Sequence, residues 1–185
     1  EDAFALWDYV QMNSEILKIN PNSIALAGDS AGGMISATVA HDVRDKGGIQ
    51  PAALCLIYPW VTTSLENQQS IESCADMFPM TFKIMEFFRN TVFPDGQNVD
   101  HLWANPLHQD NLRNLPPTII ATAGFDPIRD QGNQFVDLLK KAEVEVTDYC
   151  FSELPHSFLI FGRISKAAQK ANNIIAQDLS KILNK

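Results

Sequence analysis

Ser30 stands in the run Gly28-Asp29-Ser30-Ala31-Gly32. The apolar stretch Ser23-Ile24-Ala25-Leu26-Ala27 precedes it, and a run of small residues with helical character follows. Gly-x-Ser-x-Gly between a strand and a helix suits a sharp turn that lifts the serine hydroxyl clear of a sheet's end. Glycines on either side relieve the clashes such a turn creates. The N–H of Ala31 would then lie at a helix N-terminus, where a developing oxyanion is stabilised. The chemistry implied is nucleophilic attack on a carbonyl, followed by transfer of the acyl group to water. The alternative is an ordinary glycine-rich turn of the kind that holds phosphate. Neither Gly-x-x-x-x-Gly-Lys nor Gly-x-Gly-x-x-Gly occurs in the chain to support it.

A serine hydroxyl needs a base, and the base needs a carboxylate to orient it. On a strand-turn-helix elbow of this kind the chain order is serine, carboxylate, histidine. Of the four histidines, His41 falls in the helix just after Ser30. His101 and His108 precede the strand that should deliver the acid. His156, in Leu154-Pro155-His156-Ser157-Phe158, follows a later strand and fits the order. The acid is sought in Gly124-Phe125-Asp126-Pro127-Ile128-Arg129-Asp130. Asp126 comes directly off a strand, whereas Asp130 reads as a helix N-cap. Ser30, Asp126 and His156 are therefore the expected catalytic residues, with the Ala31 N–H as oxyanion donor. Asp29 is expected to brace the elbow by hydrogen bonding. Activity should rise with pH as His156 gives up its proton. No His-x-x-x-His spacing or dense carboxylate cluster suggests a metal, and no cofactor is expected.

These residues need a frame. Helical periodicity runs from Asp2 to about Lys18, from Ala31 to Asp45, from Met80 to about Val92, from Asp130 to Ala142 and from Ile164 to Leu183. Gly47-Gly48 should close the second of these. Apolar runs at 23–27, 53–58 and 118–123 and the alternating stretch 145–151 read as strands. Residues 61–77 and 94–117 read as irregular. Strands alternating with helices imply βαβ units and a mostly parallel sheet, hence an α/β fold.

The 185 residues suit one domain. The formal net charge of -8, with no basic stripe, argues against nucleic acid or an anionic membrane as partner. No apolar run approaches a membrane span. Cys55, Cys74 and Cys150 are odd in number and widely spaced, which argues against a disulfide framework or zinc ribbon. Cys55 and Cys150, in apolar runs, read as buried free thiols and point to a reducing, cytoplasmic compartment.

Taken in order, Gly28-Asp29-Ser30-Ala31-Gly32-Gly33, Tyr58-Pro59-Trp60, Asn105-Pro106-Leu107, Leu115-Pro116-Pro117-Thr118, Asp126-Pro127-Ile128-Arg129-Asp130-Gln131-Gly132 and Pro155-His156-Ser157-Phe158 resemble the hormone-sensitive-lipase-like family of α/β-hydrolases, which includes many microbial carboxylesterases. The resemblance spans nearly the whole chain. It implies a Ser30-His156-Asp126 triad that hydrolyses short- to medium-chain acyl esters, small molecules, through an acyl-enzyme. Two positions depart from the family: Gln131 where it has Glu, and Ser157 where it usually has Gly. Neither change removes a catalytic atom. The family's His-Gly-Gly-Gly oxyanion loop, upstream of the elbow, has no counterpart here. The resemblance therefore reads residues 1–185 as the C-terminal part of one α/β-hydrolase domain, with a cap insertion at 61–95. The N-terminal strands and oxyanion loop would lie in an N-terminal segment of the same protein, and without them the nucleophile strand would be a bare edge. A homo-oligomer is left open. Phe78, Phe82, Phe87 and Phe88 would form either an apolar acyl pocket or lid, or plain core. Rival readings are an amidase or deacetylase with the same triad, an inactive fragment, and a non-catalytic small-molecule binder of the same fold.

Overall fold

The structure, a computed structural model, describes residues 1–65, 68–94 and 101–184. Residues 66, 67 and 95 of the expected cap, and 95–100 of the expected loop, lie outside the described residues. Four strands form one sheet in the order β1 (Ala25–Asp29), β2 (Ala53–Ile57), β3 (Thr118–Phe125) and β4 (Val146–Pro155). All three pairings are parallel; Ala25 lies opposite Ala53, Leu54 opposite Thr118, and Thr118 opposite Val146.

Parallel strands need crossovers, and these supply the layers. Helix α3 (Ala31–Asp45) follows β1, and α6 (Arg129–Lys141) follows β3. Both cover one face, where Ala37, Ala40, Phe135 and Leu139 pack on Leu54, Leu56 and Ile120. The C-terminal helix α7 (Lys166–Leu183) covers the other, where Ala168, Ala171 and Ile175 meet Cys55, Ile119 and Ala121. With helices on both faces, β2 is buried at every position, which is why Ala53 to Ile57 reads as an unbroken apolar run. Each large side chain buried in this way contributes roughly 1.5–3 kcal/mol of transfer free energy. Strand β4 lies at the margin and alternates instead.

Two helix starts carry side-chain caps. The Ser165 hydroxyl accepts from the Ala168 N–H at the start of α7. The Thr81 hydroxyl accepts from the Ile84 N–H at the start of α5 (Phe82–Val92). Gly47, at φ +67°, closes α3.

Several boundaries differ from the sequence reading. The first helix is not continuous to Lys18: α1 (Asp2–Met12) breaks at Asn13, and α2 (Ser14–Leu17) follows. Asn13, at φ -108° and ψ 18°, leaves the helical conformation, and its backbone N–H and side-chain amide both donate to Tyr9 O, at 3.0 and 2.8 Å. The 61–77 stretch contains α4 (Gln69–Ser73), held from a distance by Asp130, whose carboxylate accepts from the Ser70 N–H at 2.7 Å. Strands β3 and β4 run further than their apolar cores, to Phe125 and Pro155, and so carry the loops bearing Asp126 and His156 to one end of the sheet. Cys55 is buried, as expected, but Cys150 is exposed on β4, where the marginal strand leaves alternate side chains uncovered. Cys74 is the second buried thiol.

Candidate active site

Ser30 lies between the end of β1 and the first turn of α3, at φ +51° and ψ -120°. A non-glycine residue holds such a conformation only when its surroundings over-determine it. Here the Ser30 N–H donates to Ile57 O, and Ser30 O accepts from the N–H groups of Gly33 and Trp60, each at 3.0 Å. The turn is also tight in space. A Cβ on Gly28 would lie 2.1 Å from Gly32 O, and one on Gly33 would lie 2.6 Å from Pro59 Cβ. A Cβ on Gly32 would meet nothing within 4 Å. The glycine that close packing requires after the serine is therefore Gly33, one residue beyond the expected position.

The sheet brings Asp126 and His156 to this turn from adjacent strand ends. His156 Nε2 is 3.0 Å from Ser30 Oγ, and His156 Nδ1 is 2.7 Å from Asp126 Oδ2. A carboxylate only accepts, so the ring donates from Nδ1, which leaves Nε2 free to accept from the serine hydroxyl. The second carboxylate oxygen, Oδ1, accepts from the Ile128 N–H at 2.9 Å and fixes the plane of the group. Asp126 is fully buried and His156 is 2% exposed, so the pair is shielded from water, while Ser30 is half-buried and opens to a cleft. The Ala31 N–H is the first of α3, at the helix N-terminus. This arrangement can take a proton from Ser30 and stabilise the imidazolium that results.

The sequence profile of the alpha/beta hydrolase fold matches residues 1–160. The chain belongs to the α/β-hydrolase family. Its relatives put it in the hormone-sensitive-lipase-like branch. The chain is 33% identical over 178 residues to Esterase LipI of Mycobacterium tuberculosis, spanning 94% of this chain and 54% of that protein. It is 32% identical over 185 residues to Carboxylic ester hydrolase LipN of the same organism, spanning 95% and 48%. The hyperthermophilic esterase of the archaeon Pyrobaculum calidifontis superposes with a TM-score of 0.92 at 31% identity, over all of this chain and 60% of that one. The chain thus spans about half the length of the curated relatives it matches.

The remaining candidates of this α/β-hydrolase sort out on geometry. Asp130 is not the N-cap of α6; Ile128 holds that position. Asp130 instead clasps Ser70 and Arg129. His41 is buried in α3, where desolvation and then the Arg44 charge hold its pKa down at about 4. His101 caps the 3-10 turn Leu102–Ala104 and His108 ends the 3-10 turn Pro106–His108, both before β3. Asp29 accepts from the Tyr58 hydroxyl at 3.2 Å, consistent with a bracing role.

A cleft of about 540 Å³ opens beside Ser30, walled by Met34, Trp60, Met80, Phe88 and Trp103. Of the four phenylalanines expected in a pocket or in the core, only Phe88 lines it. Phe82 packs on the Trp60–Met85 cluster, and Phe78 and Phe87 are 80% and 65% exposed. Sequence reasoning missed Met34 and Trp103, which reach the wall from α3 and from a turn before β3. It also missed the structural use of Gln131. Its Oε1 accepts from the N–H groups of Val61 and Thr62 at 2.7 and 3.1 Å, and its Nε2 donates to Gln68. The motif position was visible in the sequence; its distant partners were not. Among the described residues, no group of three His, Cys, Asp or Glu could hold a metal ion, and no helix is long and apolar enough to cross a membrane.

Proposed function

We propose that this chain carries the catalytic triad of a carboxylic ester hydrolase acting on short- to medium-chain acyl esters. The observation that carries the reading is His156 bridging Ser30 Oγ at 3.0 Å and Asp126 Oδ2 at 2.7 Å. His156 takes the Ser30 proton as Oγ attacks the ester carbonyl. The tetrahedral oxyanion receives the Ala31 N–H. His156 then protonates the leaving alcohol, and the acyl group remains on Ser30. Water, deprotonated by His156, attacks the acyl-enzyme and releases the acid. Asp126 keeps the proton on Nδ1 throughout. The apolar cleft supports an acyl chain as the group bound, and the esterase names of the relatives support ester over amide.

One oxyanion donor is a sparse hole, since loss of a single donor typically costs about a hundredfold to a thousandfold in rate. Among the described residues, β1 has no ladder partner on its outer side. Both facts support an N-terminal segment of the same protein that pairs with β1 and supplies the oxyanion loop. The cleft wall formed by Met80 and Phe88 supports residues 61–95 as cap structure. Three cysteines without a disulfide support a reducing, cytoplasmic setting.

A fluorophosphonate probe tests the reading. It should label the protein, and Ser30→Ala should abolish labelling. Paired assays on an aryl ester and its matching anilide should show the ester strongly preferred. Failure to label, or comparable rates on the anilide, would overturn it.

A further inference from the structure

The hydrogen bond between Ser30 and His156 cannot hold the site in register, because acylation of Oγ removes it midway through the cycle. Something else must keep the elbow and the histidine loop together, since the two lie 126 residues apart in sequence. Tyr58 is placed to do this. It follows β2, between the ends of β1 and β3, at φ +35°, and its side chain is 1% exposed. Its backbone N–H donates to Ala121 O at 2.6 Å.

The Tyr58 hydroxyl donates to Asp29 Oδ2 at 3.2 Å, on the residue adjoining the nucleophile. The Tyr58 ring lies against the His156 imidazole, with centroids 4.7 Å apart at 56°, and Phe158 backs it edge-on at 4.9 Å. Burial and the neighbouring Asp29 push the Tyr58 hydroxyl far above its usual pKa, so it stays a donor across the working range.

We propose that Tyr58 is a positioning residue that ties the nucleophile elbow, held by its hydroxyl on Asp29, to the histidine loop, against which its ring packs, and that the ring sets the tilt of the His156 imidazole. This inference rests on the triad reading above. It predicts that the pin acts through Asp29, on the orientation of Ser30 and His156 and not on ester binding. Misplacement by a change away from the reacting atoms can cost up to about a hundredfold in rate.

The test is a double-mutant cycle in the protein, read as the rate of fluorophosphonate labelling and as kcat and KM on an aryl ester, with melting temperatures alongside. Tyr58→Phe should slow labelling and kcat by about tenfold, with KM within about twofold. Asp29→Ala, at an exposed side chain, should do the same, and the double variant should be no slower than either single one. Asp29→Asn keeps an oxygen for the hydroxyl and should stay within about threefold of the unaltered protein. Equal labelling of Tyr58→Phe and the unaltered protein, or multiplicative losses in the double variant, would overturn the pin. Absence of labelling in the unaltered protein would instead overturn the triad.

Discussion

Asp126→Asn changes one atom and should disable the site without unfolding it. Asp126 uses both oxygens: Oδ1 accepts from the Ile128 N–H at 2.9 Å, and Oδ2 accepts from His156 Nδ1 at 2.7 Å. An asparagine has one oxygen and one NH₂ group. The Ile128 amide can only donate, so the oxygen is retained there and the NH₂ turns to His156. Nδ1 must then accept, which places the ring proton on Nε2. From Nε2 the ring donates to Ser30 and can no longer take its proton. In serine hydrolases the wrong tautomer costs about ten-thousandfold in kcat. At ~1.4 kcal/mol per factor of ten, that is about 5.5 kcal/mol of transition-state stabilisation. The fold should lose far less, because the buried bonds to Ile128 and His156 are both kept in number. The assay is steady-state hydrolysis of an aryl ester, together with ¹⁵N shifts of the imidazole to report the tautomer. A loss of less than about tenfold, or an unchanged tautomer with full loss, would refute this reasoning.

Three further outcomes follow from groups outside the triad. His41 titrates near 6.5 when unfolded and near about 4 in the fold, so the unfolded chain binds more protons between those values. Stability should therefore be full above pH 6.5 and fall towards pH 4, by up to about 3 kcal/mol at ~1.4 kcal/mol per unit. His41→Leu removes the titrating group and should remove that slope in denaturant titrations across the window; among the described residues the buried Nε2 has no hydrogen-bond partner. Gln131→Leu leaves the Val61 and Thr62 amides without their acceptor and should cost roughly 2–5 kcal/mol by chemical denaturation. Gln131→Glu, which keeps an acceptor, should cost less. Gly28→Ala brings a Cβ to 2.1 Å from a backbone oxygen that no side-chain rotation can relieve. It should cost more than the ~1–3 kcal/mol usual for overpacking, seen as a lowered melting temperature, or abolish soluble expression.

The order of Ser30, Asp126 and His156 was legible because each stands just past a strand, and strands announce themselves as apolar runs or, before His156, as alternation. The alternation of strands and helices was legible for the same reason. What escaped the sequence depends on contacts between distant segments. The cleft wall gathers Met34, Trp60, Met80, Phe88 and Trp103 from separate stretches with no shared period. The division between Phe82 and Phe87 follows from which side of α5 meets the Trp60–Met85 cluster, so identical residues five positions apart on one helix take opposite surroundings. Cys150 was misread because an apolar run on a marginal strand is covered only at alternate positions. The break at Asn13, where the backbone leaves the helical conformation, is one that apolar periodicity does not reveal. The requirement for Gly33 rather than Gly32 depends on the approach of Pro59.

The account's central claim is that Ser30 becomes acylated during turnover. Mixing the protein with an activated short-chain ester, quenching in acid and mapping the adduct by peptide mass spectrometry tests it most directly. One acyl group is expected on the peptide containing Ser30, absent from Ser30→Ala and slow to form in Asp126→Asn. Hydrolysis that persists in Ser30→Ala, or an acyl group found on another residue, would contradict it.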